Sequence, residues 1–164
     1  MGSGSSGAYS GTSGSSQPFA AEYHVEKHMH DFDVRNKTFH DGHYDKNPTA
    51  RNLNEMIKGN YIVSKNFNEQ HLTYVIDKNG NIIVGKRNGN GENGLPTPHP
   101  TLIGGKDPVV KMAGILSIHG GKIYSYDNRS GHYKPNSQSM AVADEAFGKL
   151  PQILFKKRRR NENE

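Results

Sequence analysis

The strongest constraint on the fold is a pair of β-hairpin patterns in the second half of the chain. The first pattern runs from His71 to Lys86 and joins two runs rich in β-branched residues through Asn79-Gly80. The second runs from Met112 to Asp127 and turns at Gly120-Gly121. Asn-Gly between such runs favours a type I′ turn, because both residues tolerate a positive φ. Two successive hairpins predict a small antiparallel sheet of about four strands.

Helical patterns stand on either side of these hairpins. Apolar residues at positions i, i+3 and i+4 within 53–58 predict a short helix that ends before Gly59. The apolar spacing over 139–150 predicts a longer amphipathic helix. A short strand is expected at 61–63. The order helix, hairpin, hairpin, helix indicates an α+β fold with a helix before and a helix after the sheet.

Composition divides the chain into four parts. Residues 1–17 are mostly Gly, Ser, Thr and Ala, which is typical of a flexible linker or a cloning remnant. Residues 18–48 are rich in histidine and charge, and we expect irregular structure there with room for one short helix. Residues 49–155 are predicted to form a single α+β catalytic domain. Residues 156–164 are predicted to form a charged, disordered tail.

The composition also excludes several classes of site. The chain contains no cysteine, so a disulfide framework and a thiolate zinc site are both excluded. No apolar run is long enough to span a bilayer. His24 and His28 could share a helix face, but the His-Glu-x-x-His order is absent, and we predict no metal and no cofactor. The formal net charge of +5 favours a partner that carries phosphate, such as RNA or a nucleotide.

Two glycine-containing segments at predicted strand ends each carry a histidine. Pro98–Gly105 contains His99, and Asp127–Pro135 contains His132. In a meander, the start of the third strand lies beside the end of the fourth, which predicts both histidines at one end of the sheet. Two imidazoles placed there suit general acid–base catalysis near neutral pH.

The residues around these histidines complete a candidate site. We expect Lys134 and Tyr133 to join the two histidines as catalytic residues. Substrate-binding roles are expected for Thr101, Gly104, Gly105, Lys111, Arg129 and Ser130. This set fits metal-independent RNA cleavage, in which the 2′-hydroxyl is the nucleophile and cationic side chains stabilise the phosphorane. The alternative that each histidine belongs to an ordinary turn or strand start stays open.

A longer pattern within 99–135 resembles a known group of proteins. It comprises HPTLIGG at 99–105, Ala113-Gly114, GKI at 121–123 and NRSGHYKP at 128–135. This pattern resembles C-terminal toxin domains of polymorphic bacterial toxins of the Rhs and YD-repeat type. It also resembles a stretch in plant IQ-motif calmodulin-binding proteins. The toxin resemblance implies a secreted or delivered effector that acts in the cytoplasm of a target cell and has a cognate immunity protein.

The resemblance leaves the reaction open between two enzyme classes and a binding role. EndoU-like toxin nucleases use two histidines and a lysine, and His99, His132 and Lys134 supply these types, although their spacing departs from the EndoU pattern. One class of ADP-ribosyltransferase begins its NAD site with His-x-Thr, which residues 99–101 satisfy, and then uses a tyrosine and a glutamate. Tyr133 and Glu145 are available for those two roles. The third alternative is a small, non-enzymatic β-rich domain whose glycine-rich loops bind a partner protein. We expect the protein to be a monomer.

Overall fold

A five-stranded antiparallel sheet forms the centre of the molecule. The structure, a computed structural model, describes residues 16–63 and 71–156. Its strands are β3 (Arg51–Asn52), β6 (His71–Ile76), β7 (Ile82–Gly85), β8 (Met112–His119) and β9 (Lys122–Tyr126). They lie in the order β3-β7-β6-β8-β9. The four long strands are the predicted ones, and the fifth is the short edge strand β3, which pairs Arg51 with Val84.

The two hairpin turns differ in type. Gly120 and Gly121 both have positive φ, of 59° and 79°, as a tight turn between His119 and Lys122 requires. The type I′ prediction at Asn79-Gly80 is wrong, because only Gly80 has a positive φ, of 86°. The Asp77 carboxylate accepts hydrogen bonds from the backbone N–H of Asn79 at 2.9 Å and of Asn81 at 2.8 Å. This Asx-type bonding stabilises an ordinary turn that closes with a left-handed glycine.

The two helices lie before and after the sheet, as the predicted α+β class requires. The second, α2 (Met140–Gly148), lies within the predicted range 139–150. The first, α1 (Lys27–Arg35), lies in the segment expected to be irregular with room for one short helix.

The helix predicted over 53–58 is wrong in type. Leu53–Met56 form a 3-10 turn, and Ile57–Lys58 are a short strand, β4. This strand pairs with β5, Tyr61–Ile62, which is the short strand expected at 61–63. Gly59 has a φ of 59° and lies in the turn between β4 and β5, so pairing across it replaces helix continuation.

The two faces of the sheet pack against different parts of the chain. Tyr74, Ile76 and Met112 belong to a core that includes Phe147 of α2. Their neighbours along the strands, Val75 and Ala113, point to the opposite face because side chains alternate along a strand. There they pack with Tyr23, Leu102 and Tyr133. The opposite face is therefore covered by the N-terminal segment and by the two segments that the sequence analysis singled out.

The N-terminal segment from Gln17 onward packs against residues far along the chain. Tyr23 and Val110 bond reciprocally through their backbones, at 2.7 and 3.1 Å. A further hairpin, β1 (Phe39–His40) and β2 (His43–Tyr44), follows α1. The predicted linker and the predicted tail lie outside the described residues, apart from Ser16 and Gln17 at one end and Lys156 at the other. Within the described ranges, no helix has the length and apolar character needed to cross a bilayer.

Candidate functional site

The segment Ser130–Pro135 leaves the end of β9 as a compact turn. The Ser130 side chain accepts a bond from the Tyr133 backbone N–H at 3.2 Å, and its carbonyl accepts one from Lys134 at 2.8 Å. The Tyr133 ring is fully buried, and its hydroxyl donates to the Pro108 carbonyl at 2.5 Å. Burial raises the pKa of Tyr133 well above its ordinary value. The predicted catalytic Tyr133 is therefore a core residue that anchors the turn.

His132 stands on this turn against a buried carboxylate. Its Nε2 lies 3.0 Å from Asp33 of α1, whose side chain is 2% exposed. Tyr44 donates a second hydrogen bond to the same carboxylate at 2.7 Å. The carboxylate accepts in both contacts, so Nε2 carries a proton, and in the neutral form of the ring Nδ1 is an acceptor. The His132 side chain is 12% exposed, and no group in the described ranges bonds to its Nδ1.

Backbone contacts hold the residues that surround His132. The Glu26 N–H, just before α1, donates to the His132 carbonyl at 2.8 Å. Tyr44 and Gly105 bond reciprocally through their backbones at 2.8 and 3.0 Å. Gly105 has a φ of 89°, a left-handed conformation that favours glycine. The predicted substrate-binding Gly105 thus serves as a backbone partner that places Tyr44, while burial first and the bond to Asp33 second raise the pKa of Tyr44.

The other predicted catalytic histidine, His99, is enclosed. It begins a 3-10 turn, His99–Leu102, and is 6% exposed. Its Nε2 donates to the Gly114 carbonyl at 2.7 Å. Burial lowers the pKa of His99 to about 4, although the bond to the Gly114 carbonyl partly opposes this shift. The segments that carry the two histidines pack on the same face of the sheet, but the enclosed His99 does not fit the role of a solvent-facing proton donor or acceptor.

The residues predicted to bind substrate differ in how accessible they are to a ligand. Thr101 is 3% exposed, and its hydroxyl donates to the Pro98 carbonyl at 2.6 Å. Ser130 is 8% exposed. Gly104 has a left-handed φ of 76° and lies against Lys46. These residues support the backbone and present little surface to a ligand.

The lysine and arginine side chains predicted to bind substrate are more accessible to a ligand than these residues. The Lys134 Nζ lies 3.6 Å from a Glu26 carboxylate oxygen. Arg129 is mostly exposed and pairs with Asp127 at 2.7 Å. Lys111, half-buried, precedes β8, and its backbone N–H donates to the Ile76 carbonyl at 2.8 Å. Lys134 therefore lies on the same turn as His132, and Arg129 directly precedes that turn, each beside one carboxylate.

Asp33, Tyr44 and Glu26 belong to the candidate site, although no sequence pattern indicated them. Asp33 is buried in α1, whereas its neighbours Phe32 and Val34 are each 47% exposed. Helix amphipathicity predicts the reverse arrangement, so no local pattern marks Asp33 as a buried partner.

A shallow cleft lies beside this region. Its lining residues include Asp45, Lys46, Asn90, Thr97 and Thr101. No residue of Ser130–Pro135 lines it, so this cleft borders the first predicted segment and not the second.

A second polar cluster lies on the β1–β2 hairpin. His40, His43 and Asp45 each offer a metal-ligating atom, and these atoms all lie within 4.8 Å of one another. His24 and His28, which the sequence placed together, diverge: His24 bonds to Asp107 at 3.1 Å, and His28 contacts Glu26. In the described part of the chain, the hairpin cluster is thus the set of side chains able to converge on an ion.

Comparison with known proteins gave no match, since no family model fits the sequence and no curated protein or solved structure resembles it significantly.

Proposed function

We propose that this chain is a toxin-type effector domain that cleaves RNA without a metal ion, with His132 as the general base. The observation that carries the proposal is the contact between His132 Nε2 and the buried Asp33 carboxylate. This contact fixes the ring orientation and directs Nδ1 away from the carboxylate. A ring held this way is suited to accept a proton from the 2′-hydroxyl of RNA. The resulting oxyanion attacks the adjacent phosphorus and leaves a 2′,3′-cyclic phosphate.

Cationic side chains close to His132 support a phosphate-bearing substrate. Lys134 lies shortly after His132 in the chain, Arg129 lies shortly before it, and both side chains retain exposed surface. The 3.6 Å separation of Lys134 from Glu26 is long for an ion pair, so a phosphate oxygen could compete for the ammonium group. Lys134 would then stabilise charge on the phosphorane and protonate the leaving 5′-oxygen. The toxin resemblance supports delivery into a target cell and neutralisation by an immunity protein.

The enclosed histidine takes a different role in this proposal. His99 stays neutral near pH 7, and it braces β8 through its bond to Gly114. Its contribution is to position the sheet end beside His132 rather than to transfer protons. This assignment replaces the two-histidine exchange that the sequence alone suggested.

The ADP-ribosyltransferase alternative has no comparable support. The His99–Leu102 turn is buried throughout, which leaves its side chains little surface for NAD. Glu145 belongs to α2, which packs on the other face of the sheet. The histidine and the glutamate of that alternative therefore lie on opposite sides of a protein layer.

The direct test is incubation of the full chain with total RNA in EDTA. The parent protein is expected to yield fragments with 2′,3′-cyclic phosphate ends, and His132→Ala to lose at least about 100-fold in rate, the contribution typical of a general base. His119→Ala, at the far end of β8, is the matched control and should cleave like the parent. Equal rates for the parent and His132→Ala would overturn the proposal. Nicotinamide release from NAD would favour the transferase, and binding without either activity would favour the partner-binding domain.

A further inference from the structure

The β1–β2 hairpin brings two imidazoles and one carboxylate to a single point. His40 and His43 are directly opposite each other in the hairpin register, and their ring centroids are 5.2 Å apart. The two residues between them, Asp41 and Gly42, have positive φ values of 54° and 83°. This tight turn fixes the pair across the hairpin, so the rings do not depend on a long loop for their position.

Asp45 faces both rings. One carboxylate oxygen lies 2.8 Å from His40 Nε2, and the other lies 3.2 Å from His43 Nε2. The ligating atoms of the three residues lie within 4.8 Å of one another. Tetrahedral zinc with bonds of about 2.0–2.1 Å holds its ligand atoms roughly 3.3 Å apart. Small side-chain rotations would therefore bring all three atoms to bonding distance.

A carboxylate behind one ring completes the pattern of a metal-binding histidine. His40 Nδ1 lies 3.1 Å from the Asp41 carboxylate. A donor bond from Nδ1 leaves the Nε2 lone pair for an ion, as in the carboxylate–histidine–metal arrangement of protein metal sites. From this geometry we propose that His40, His43 and Asp45 bind one Zn²⁺ ion, with the remaining coordination position open to solvent.

The donor set selects the class of ion. Two imidazoles and one carboxylate suit Zn²⁺ and its neighbours Ni²⁺ and Cu²⁺, whereas Ca²⁺ and Mg²⁺ prefer oxygen ligands. His40 and His43 are 38% and 45% exposed, so an ion can reach them without unfolding the hairpin. The ion would stabilise the hairpin that carries Tyr44, which lies between two of the ligands. The proposal does not depend on RNA cleavage, because its evidence lies entirely in the hairpin.

The test is calorimetric titration of the EDTA-stripped and dialysed full chain with ZnCl₂. The parent is expected to bind one Zn²⁺ tightly and to melt at a higher temperature with zinc than without it. Asp45→Asn and His43→Ala should each weaken zinc binding at least about 10-fold, and Asp41→Asn, behind the ligand ring, about 10-fold or more. A variant with His24→Ala and His28→Ala is the matched control, because it removes two exposed histidines outside the cluster.

The outcomes separate clearly. The site is supported if the control variant binds zinc as the parent does and Asp45→Asn loses zinc binding. Asp45 is mostly exposed, so its amide variant is expected to remain folded, and circular dichroism checks this. Absence of binding to the folded parent at micromolar zinc would overturn the proposal. Equal weakening in the control variant would overturn it as well, since it would assign the ion to other histidines.

Discussion

The burial of His99 makes the stability of the protein depend on pH in a defined window. In the folded chain the imidazole is enclosed and donates to the Gly114 carbonyl, and burial lowers its pKa to about 4. In the unfolded chain a histidine titrates near its ordinary value of about 6.5. Between these two values the unfolded state binds a proton that the folded state excludes. The contribution of His99 to the free energy of unfolding is therefore fully present above pH 6.5 and is lost as the pH falls towards 4.

The size of the effect follows from the two pKa values. The full difference of roughly 2.5 units corresponds to about 3 kcal/mol of unfolding free energy. Between pH 7 and pH 5 the same linkage relation gives a loss of about 2 kcal/mol from His99. Other histidines and carboxylates titrate in this range too, so the parent protein alone cannot isolate the contribution. A variant that cannot titrate at this position is needed.

His99→Gln is the suitable comparison, because an amide N–H can still donate to the Gly114 carbonyl. Urea unfolding of the parent and the variant is measured at pH 7, 6 and 5. The parent is expected to lose about 2 kcal/mol more than His99→Gln between pH 7 and pH 5. A uniform destabilisation of the variant does not affect this difference of slopes. Parallel slopes would refute the reasoning, since they would show that His99 titrates alike in both states.

Three further experiments test other contacts. Asp33→Asn removes the carboxylate that holds His132, and we expect RNA cleavage to fall at least about 10-fold and urea unfolding to show a loss of about 1–3 kcal/mol. Tyr133→Phe should retain the RNA-cleavage rate but lose about 1 kcal/mol in the same unfolding assay, because the hydroxyl bonds only to a buried carbonyl. Gly114→Ala would place a Cβ 1.8 Å from a backbone oxygen and should cost about 3 kcal/mol or more, whereas Gly131→Ala meets nothing within 4 Å and should be nearly neutral. Similar stabilities for the two glycine variants would contradict the packing argument.

Local signals account for the parts of the fold that the sequence predicted. The strands of both hairpins are short apolar runs joined by turn residues, and each pairs with the nearest run along the chain. The helix over 139–150 follows from apolar spacing alone. The turn at Asn79-Gly80 shows the limit of such signals, because its type differs from the predicted one and the Asp77 carboxylate bonds to its backbone.

The environment of each candidate histidine was set by contacts that no local pattern encodes. His132 meets Asp33 from α1, a contact that joins residues separated by 99 positions. His99 and its neighbours form a turn that the sheet covers, and a proline-containing loop of this composition would be equally compatible with an exposed one. Sequence alone singled out the two rings, but the burial that encloses His99 is a property of the assembled fold.

The N-terminal segment belongs to the same structural unit as the candidate site. The Gln17 side chain donates to the Tyr133 carbonyl at 2.6 Å, and its backbone N–H donates to the Lys134 carbonyl at 2.7 Å. Asp33 then supplies the carboxylate behind His132. The segment expected to be irregular therefore fixes both the backbone of the His132 turn and the orientation of its ring. A buried carboxylate is stable only when its hydrogen-bond partners are in place. The packing of this segment and the orientation of the His132 ring therefore depend on each other.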